Sequence, residues 1–146
     1  YRENVYLFPG LKLIIAPRHP ERFAEAEEVI RKSDMRYVKR SEFSAEGEEP
    51  GSKKFNILLL DTVGELTALY SIADIAIMGK SIEGFGGQNP LEPAYWGRPI
   101  ICGEHMENFP FIKDFYAAGA ALFLHYSIIK CERRGGREEL GDKLPD

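Results

Sequence analysis

The feature of this sequence that most constrains its fold is the alternation of short apolar runs with stretches of helical periodicity. The run at 11–16 precedes a stretch at 21–33 with apolar residues at helical spacing, and 56–61 is the strongest strand candidate. Because the runs are apolar on both faces, they are typical of parallel strands covered on both sides. The sequence therefore predicts an α/β fold, a Rossmann-like parallel sheet with helices on both faces.

The same patterns place each element along the chain. Strands are predicted at 11–16, 35–40, 56–61, 74–79, 98–103 and 120–126. Helices are predicted at 21–33, 64–72, 89–97 and 108–119, the last two ending at Gly97 and Gly119. The polar stretch 41–55 is predicted to be a surface loop, and 127–146 an irregular polar tail. We expect one domain over 1–126, incomplete at its N-terminal edge, and a chain that is a fragment because it begins with Tyr1.

Composition and charge narrow the classes of function. A chain of 146 residues with 44% hydrophobic content can bury a core. The net charge of −4 argues against a nucleic-acid partner, which usually meets a basic face. The two cysteines, Cys102 and Cys131, make no disulfide framework and have no metal-ligand spacing, so no metal is expected. No cofactor is expected either. No apolar run approaches the roughly 20 residues that cross a bilayer.

Polar or glycine-rich residues follow four of the predicted strands. Ligands of open α/β sheets bind at the carboxyl ends of the strands, so these loops predict a binding cleft. Arg18 offers a planar cation for a phosphate or carboxylate, or else pairs with Glu21 on the surface. Gly64 would let backbone N–H groups face a ligand. Glu65, on the residues alone, is explained as well by the helix dipole.

The stretch 84–93, "GFGGQNPLEP", carries three glycines in four residues just before a predicted helix. It indicates either N–H groups aimed at an anion or an ordinary strand-to-helix turn. Asn89 is then the helix N-cap, a ligand contact or both. Glu92 cannot help an anion, but its carboxylate can accept hydrogen bonds from ribose hydroxyls. The glycine spacing matches neither a P-loop nor a dinucleotide fingerprint.

Five motifs in order carry a resemblance to a known family: "LIIAPRHPERF", "DTVGEL", "LYSIADIAIMGKS", "GGQNPLEPAYWGRPIICG" and "HMENF". Over about 11–126 the chain resembles the C-terminal half of bacterial 3-deoxy-D-manno-octulosonic acid (Kdo) transferases. That resemblance implies the C-terminal domain of a glycosyltransferase B fold. It also implies an inverting, metal-independent transfer of Kdo from CMP-Kdo to a lipid A precursor, at the cytoplasmic face of the inner membrane.

The resemblance also implies which residues bind the donor. It places cytidine against Pro17 and Arg18, and it reverses the interpretation of Glu65 by placing the phosphate near it. The full set of expected CMP-binding residues is Pro17, Arg18, Val63, Gly64, Glu65, Gly86, Gly87, Asn89, Pro90, Leu91 and Glu92. The general-base glutamate, the acceptor surface and the membrane contact belong to the family's N-terminal domain. This chain alone is therefore expected to bind CMP without catalysing transfer.

Three positions depart from the family pattern. Gln88 stands where the family usually has histidine, and it can hydrogen-bond but not carry a charge. Lys80 replaces a common glycine, and Glu104 a usual proline. The alternative class of function is a stand-alone nucleotide or nucleotide-sugar binding module, or a related sugar-nucleotide enzyme such as an epimerase.

Overall fold

The computed structural model describes residues 8, 10–43, 54–119 and 121–123 of the chain. The strands are β1 (Leu13–Ile15), β2 (Tyr37–Lys39), β3 (Ile57–Leu59), β4 (Ala76–Met78), β5 (Ile100–Cys102) and β6 (Ala121–Phe123). The α-helices are α1 (Phe23–Arg31), α2 (Leu66–Tyr70), α3 (Leu91–Tyr95) and α4 (Ile112–Ala117). Short 3-10 helices occupy Pro20–Arg22, Arg40–Glu42 and Gly79–Ser81.

The chain divides into two compact units, Tyr1–Leu66 and Thr67–Asp146. The first holds a parallel sheet in the order β1–β3–β2, with Leu13 and Tyr37 both in register with Ile57. The second holds a parallel sheet in the order β4–β5–β6. Parallel neighbours need crossovers of a dozen or more residues, and the spacing between these strands supplies them. The predicted α/β class is confirmed.

The core of the first unit forms where α1 packs on its sheet. Ala26 and Ile30 lie one turn apart on one helix face, as the helical spacing of the sequence predicts. Ile30 is 2% exposed and packs in a cluster with Ile57 and Leu59 of the central strand β3. Burying each such side chain contributes about 1.5–3 kcal/mol, so this face fixes α1 on the sheet.

The second unit has its own core around β5. Ile100 and Cys102 pack with Met78 of β4 and with Ile112 of α4. Burial raises the pKa of the Cys102 thiol, which keeps it neutral and apolar within this cluster. On β4 the alternate side chain, Ile77, is 56% exposed, because successive residues of a strand point to opposite faces.

Two glycines end the helices of the second unit as the sequence predicts. Gly97 follows α3 with φ 64°, and Gly119 follows α4 with φ 74°. Only glycine enters this left-handed region at little cost. Their N–H groups donate to the carbonyl oxygens of Ala94 and Tyr116. These bonds close the last turn of each helix.

All six predicted strands and all four predicted helices are confirmed in the described residues, with shorter bounds. The helix predicted at 21–33 begins as a 3-10 turn at Pro20–Arg22 before α1. Most of the loop predicted at 41–55 and the tail predicted at 127–146 lie outside the described residues, as does the domain boundary expected at 126. Among the helices of the described residues, none is long and apolar enough to span a membrane.

Two isoleucines on neighbouring strands give a matched test of this core. Ile100→Ala should lower the free energy of unfolding by about 2–4 kcal/mol, because it opens a cavity at a side chain that is 1% exposed. Ile77→Ala removes the same atoms from a position that is 56% exposed, and it should cost less than about 1 kcal/mol. Urea unfolding followed by circular dichroism measures both changes. Equal losses would contradict the burial pattern of β4 and β5.

Candidate functional site

The loops after β1, β2 and β3 meet at one edge of the first sheet, because the three strands are parallel. Pro17 and Arg18 follow β1, and the 3-10 helix Arg40–Glu42 follows β2. Residues 61–65 follow β3 and lead into α2. The structure therefore brings together, within the first unit, the predicted site residues of two loops and adds a third loop that begins at Arg40.

Arg18 is an exposed cation at this edge. No hydrogen bond or ion pair engages its guanidinium among the described residues, so the expected alternative of a pair with Glu21 is not formed there. The neighbouring Arg22 is bound instead, with its Nε 2.9 Å from Glu25 Oε2. With respect to the described residues, the N–H donors of Arg18 are therefore available to a ligand at the end of β1.

Glu65 is held by two donors of its own unit. Arg40 Nη2 lies 2.7 Å from Glu65 Oε1, and the Thr62 hydroxyl donates to Oε2. The Thr62 hydrogen bond lowers the pKa of Glu65, burial opposes it, and the charge of Arg40 lowers it further. Glu65 is therefore an ionised carboxylate that fixes the loop after β3, which goes beyond the helix-dipole role that the residues alone suggested.

Asp61 ties the same loop to the 3-10 helix after β2. Its carboxylate accepts the Ser41 N–H at 2.9 Å and the Ser41 hydroxyl at 2.5 Å. Burial raises the pKa of Asp61, but these two bonds, together with the Asp61 backbone N–H and the charge of Lys39, outweigh it and hold the pKa below its usual value. Sequence reasoning gave no role to Ser41 or Arg40. Their position directly after β2 is the signal that could have identified them.

The turn at Gly64 is open. Its φ of 88° lies in the left-handed region, and a Cβ built there meets no atom within 4 Å. Val63 beside it is 78% exposed. The backbone therefore requires glycine for its conformation rather than for close packing. Among the described residues, the surface at Val63 and Gly64 is thus exposed on the side where a Cβ of Gly64 would lie.

The glycine turn, residues 84–88, lies in the second unit and packs closely on the loop after β5. Gly86 and Gly87 have φ of 86° and 67°. A Cβ at Gly86 would lie 2.4 Å from Asn108 Nδ2, and one at Gly87 would lie 2.5 Å from Met106 Sδ. Both positions therefore need glycine for conformation and for close approach. The Gly86 N–H donates to Glu107 Oε2 at 2.8 Å, so a protein carboxylate already occupies this donor.

Glu107 also lies 3.2 Å from His105 through its other oxygen, Oε1. The hydrogen bond from the Gly86 N–H lowers the pKa of the Glu107 carboxyl, and His105 adds to that lowering. Neither residue was among the predicted CMP-binding residues, although the polar loop that carries them is one of the four predicted to form a binding cleft. The quoted motif "HMENF" contains both, but no spacing rule in the sequence shows that it contacts the glycine turn.

Asn89 and Glu92 flank the start of α3. Asn89 Oδ1 accepts the Leu91 N–H at 3.1 Å, but the N-cap position of α3 is Pro90, so Asn89 forms a local side-chain turn one residue before the cap and is not the N-cap itself. Glu92 Oε2 accepts the hydroxyl of Thr67 at 2.9 Å. No described residue donates a hydrogen bond to its other oxygen. Leu91 is 51% exposed, whereas Pro90 is fully buried beneath the helix start. Because α3 has only five residues, its dipole is weak.

Ser81 joins the loops that follow β4 and β5. It is fully buried; its hydroxyl donates to the Met78 carbonyl and accepts the Gly103 N–H at 2.8 Å. A Cβ at Gly103 would lie 2.3 Å from the Ser81 carbonyl oxygen, so only glycine allows this approach. The loop after β5, on which the glycine turn rests, is thereby anchored to the interior of the second unit.

A cavity of about 230 Å³ in the second unit lies apart from these loops. It is lined by Ala94, Gly97, Arg98, Pro99, Ile100 and Phe115. Ile100 is the first residue of β5, so the cavity lies at the amino end of that strand rather than at its carboxyl end. None of the predicted site residues lines it.

Two hydroxyl donors give a paired test of the loops after β2 and β3. Ser41→Ala should raise the pKa of Asp61 towards its ordinary value and leave that of Glu65 unchanged, whereas Thr62→Ala should do the reverse. Carbon-13 NMR titration of the side-chain carboxyls measures both pKa values. Each variant serves as the control for the other.

The sign of the stability effect follows from these directions. Because the folded pKa of Asp61 is depressed, its contribution to stability is present above the unfolded pKa and is lost as the pH falls through the folded pKa. The free energy of unfolding of the Ser41→Ala variant should therefore fall less on acidification than that of the unmodified chain. An identical acid-side loss in both would contradict the role given to Ser41.

This chain is similar to known proteins in sequence and in structure. No family model matches the chain. The chain is 39% identical over 110 residues to the 3-deoxy-D-manno-octulosonic acid transferase of Haemophilus influenzae, and 42% identical over 115 residues to that of Bordetella pertussis. These matches cover 75% and 78% of this chain but 25% and 26% of the relatives, so the chain spans about a quarter of their length.

A solved structure matches as well. The C-terminal CMP-Kdo binding domain of WaaA from Acinetobacter baumannii superposes with a TM-score of 0.71 at 27% sequence identity. The match covers 88% of this chain and 66% of that chain. The resemblance seen in the sequence is therefore confirmed: most of this chain is similar, in sequence to Kdo transferases and in fold to the C-terminal domain of one.

Proposed function

We propose that this chain is the donor-binding half of a Kdo transferase and binds CMP-Kdo through the loops at the carboxyl ends of its strands. The observation that carries the proposal is the likeness, over 88% of the chain and at 27% identity, to a domain described as CMP-Kdo binding. The relatives named as Kdo transferases support the same substrate class. They do not favour a stand-alone nucleotide module or an epimerase.

In the first unit, Pro17 and Arg18 would contact the cytidine, and residues 63–65 would lie near the phosphate. The exposed guanidinium of Arg18, which no described residue binds, supports the first assignment, because a cytosine carbonyl offers it an acceptor. The open space at Gly64 supports the second, because backbone N–H groups there can reach a phosphate. Glu65, held by Arg40 and Thr62, keeps this loop in place.

In the second unit, residues 89–92 would hold phosphate and ribose, behind the turn formed by Gly86 and Gly87. Glu92 supports this assignment, because one of its oxygens already accepts a hydroxyl, that of Thr67. A ribose hydroxyl is the same chemical group and can donate to the other oxygen. Pro90 and Leu91 would contribute the apolar rim beside the sugar.

Transfer itself would need groups from the part of the relatives' length that this chain does not cover. A glycosyl transfer places donor, base and acceptor on facing walls, and the loops described supply donor contacts alone. We expect an inverting transfer without a metal ion, in which CMP leaves and its phosphate charge is met by backbone N–H groups and arginine. The remaining part of such a transferase would contact the lipid A precursor and the cytoplasmic face of the inner membrane. This chain alone should therefore not catalyse transfer.

Titration calorimetry of CMP, with AMP and UMP as comparisons, tests the proposed function. CMP should bind more tightly than either comparison nucleotide. Arg18→Ala should weaken CMP binding by roughly tenfold through the loss of a charge-assisted hydrogen bond. Arg22→Ala is its matched control, since that arginine is already paired with Glu25, and it should have no effect on affinity.

Glu92→Ala should likewise weaken CMP binding by roughly tenfold, through the loss of an acceptor for ribose. Thr67→Ala removes the internal donor to Glu92 but keeps the carboxylate, so it should leave most of the affinity. A folded chain that binds all three nucleotides equally, or none of them, would overturn the proposed function.

A further inference from the structure

The glycine turn, residues 84–88, has little hydrogen bonding of its own. Among the described residues, no backbone–backbone hydrogen bond closes it, and its one hydrogen bond runs from the Gly86 N–H to Glu107 Oε2 at 2.8 Å. Glycine loses more conformational freedom on ordering than any other residue. A turn this rich in glycine therefore depends on groups outside it for its shape.

The loop that carries Glu107 is anchored to the interior. The Gly103 N–H donates to Ser81 Oγ at 2.8 Å, and the His105 N–H donates to the Ser81 carbonyl at 3.1 Å. Met106 is 4% exposed and belongs to the core of the second unit. Glu107 follows directly after Met106, so its backbone is fixed by buried contacts on the preceding residues.

The glycine turn rests on this loop with no spare room. A Cβ at Gly87 would lie 2.9 Å from the His105 carbonyl oxygen as well as 2.5 Å from Met106 Sδ. This packing sets the distance between the glycine turn and the loop, but van der Waals contacts alone do not fix the orientation of the turn. The hydrogen bond from Gly86 to Glu107 supplies the direction, and a carboxylate acceptor makes that bond shorter and stronger than a neutral one would.

The geometry points to Glu107 as a positioning residue that holds the glycine turn in the shape that the donor site requires. This inference rests on the proposed function, since it assigns the turn to the CMP-binding site. Glu107 acts through Gly86 and need not touch the ligand. His105, 3.2 Å from the other carboxylate oxygen, orients the side chain towards the turn.

Two near-isosteric variants separate the hydrogen bond from the side-chain volume. Glu107→Gln keeps an acceptor oxygen, whereas Glu107→Met keeps the length and removes both oxygens. Hydrogen exchange of the Gly86 amide, measured by NMR without ligand, should be faster by roughly tenfold in the methionine variant and by a smaller factor in the glutamine variant, whose neutral oxygen accepts a weaker hydrogen bond. The Gly64 amide, which belongs to the other unit, is the internal reference and should not change.

Calorimetry with CMP gives the second readout. Affinity should fall roughly three- to tenfold in Glu107→Met and remain within about twofold in Glu107→Gln. Asp74→Asn, which removes an exposed carboxylate elsewhere in the second unit, is the control for lost charge and should bind as the unmodified chain does.

The outcomes separate the positioning role of Glu107 from the proposed binding of CMP. Changed Gly86 exchange in a chain that does not bind CMP even when unmodified would support Glu107 as the holder of the turn and overturn the proposed function. Unchanged exchange in both variants would overturn the positioning role. Tighter CMP binding in both variants would also overturn it, because Glu107 would then compete with the ligand for the Gly86 N–H.

Glu107 is 38% exposed, so both variants are expected to fold. Should Glu107→Met fail to fold, the same exchange test applies to Glu107→Ala.

Discussion

Parallel strand pairing is the constraint on which the rest of this structure depends. Within each unit, parallel strands send all of their following loops to the same sheet edge, so residues far apart in the chain become neighbours there. Arg40 and Glu65 lie 25 residues apart, and Gly86 and Glu107 lie 21 apart, yet both pairs are hydrogen-bonded. The helices and the two cores hold the strands in place and so allow these contacts between loops.

A common pattern governs the acidic residues of the strand-end loops. Asp61, Glu65 and Glu107 each accept hydrogen bonds from their own unit, and each has its pKa lowered. Their charges are therefore met by internal donors, which limits their repulsion of an incoming phosphate. Arg18, by contrast, is exposed and forms no ion pair within the described part of the chain. In the first unit, the strand-end loops combine Asp61 and Glu65, whose carboxylates are held by internal donors, with the exposed cation of Arg18.

The sequence predicted the elements well because its apolar runs are short and separated by clear helix signals. Gly97 and Gly119 also marked helix ends correctly, since their role is local. The contacts of Arg40 and Glu107 could not be predicted, because they depend on which strand-end loops lie next to each other. A single sequence does not show the order in which its strands pair. The glycine turn shows the limit most clearly. Its flexibility was evident, but its close packing on residues 105–108 and the occupied Gly86 N–H came only from the structure.

The measurement that tests the central claim most directly is a nitrogen-15 NMR titration of this chain with CMP, followed at its glycine amides. We expect the amide of Gly64 in the first unit and that of Gly87 in the second to shift on addition of CMP. Gly97 and Gly119, which close helices, should not move. Shifts confined to Gly97, which lines the cavity at the amino end of β5, or no shifts at all, would contradict the placement of the site at the carboxyl ends of the strands.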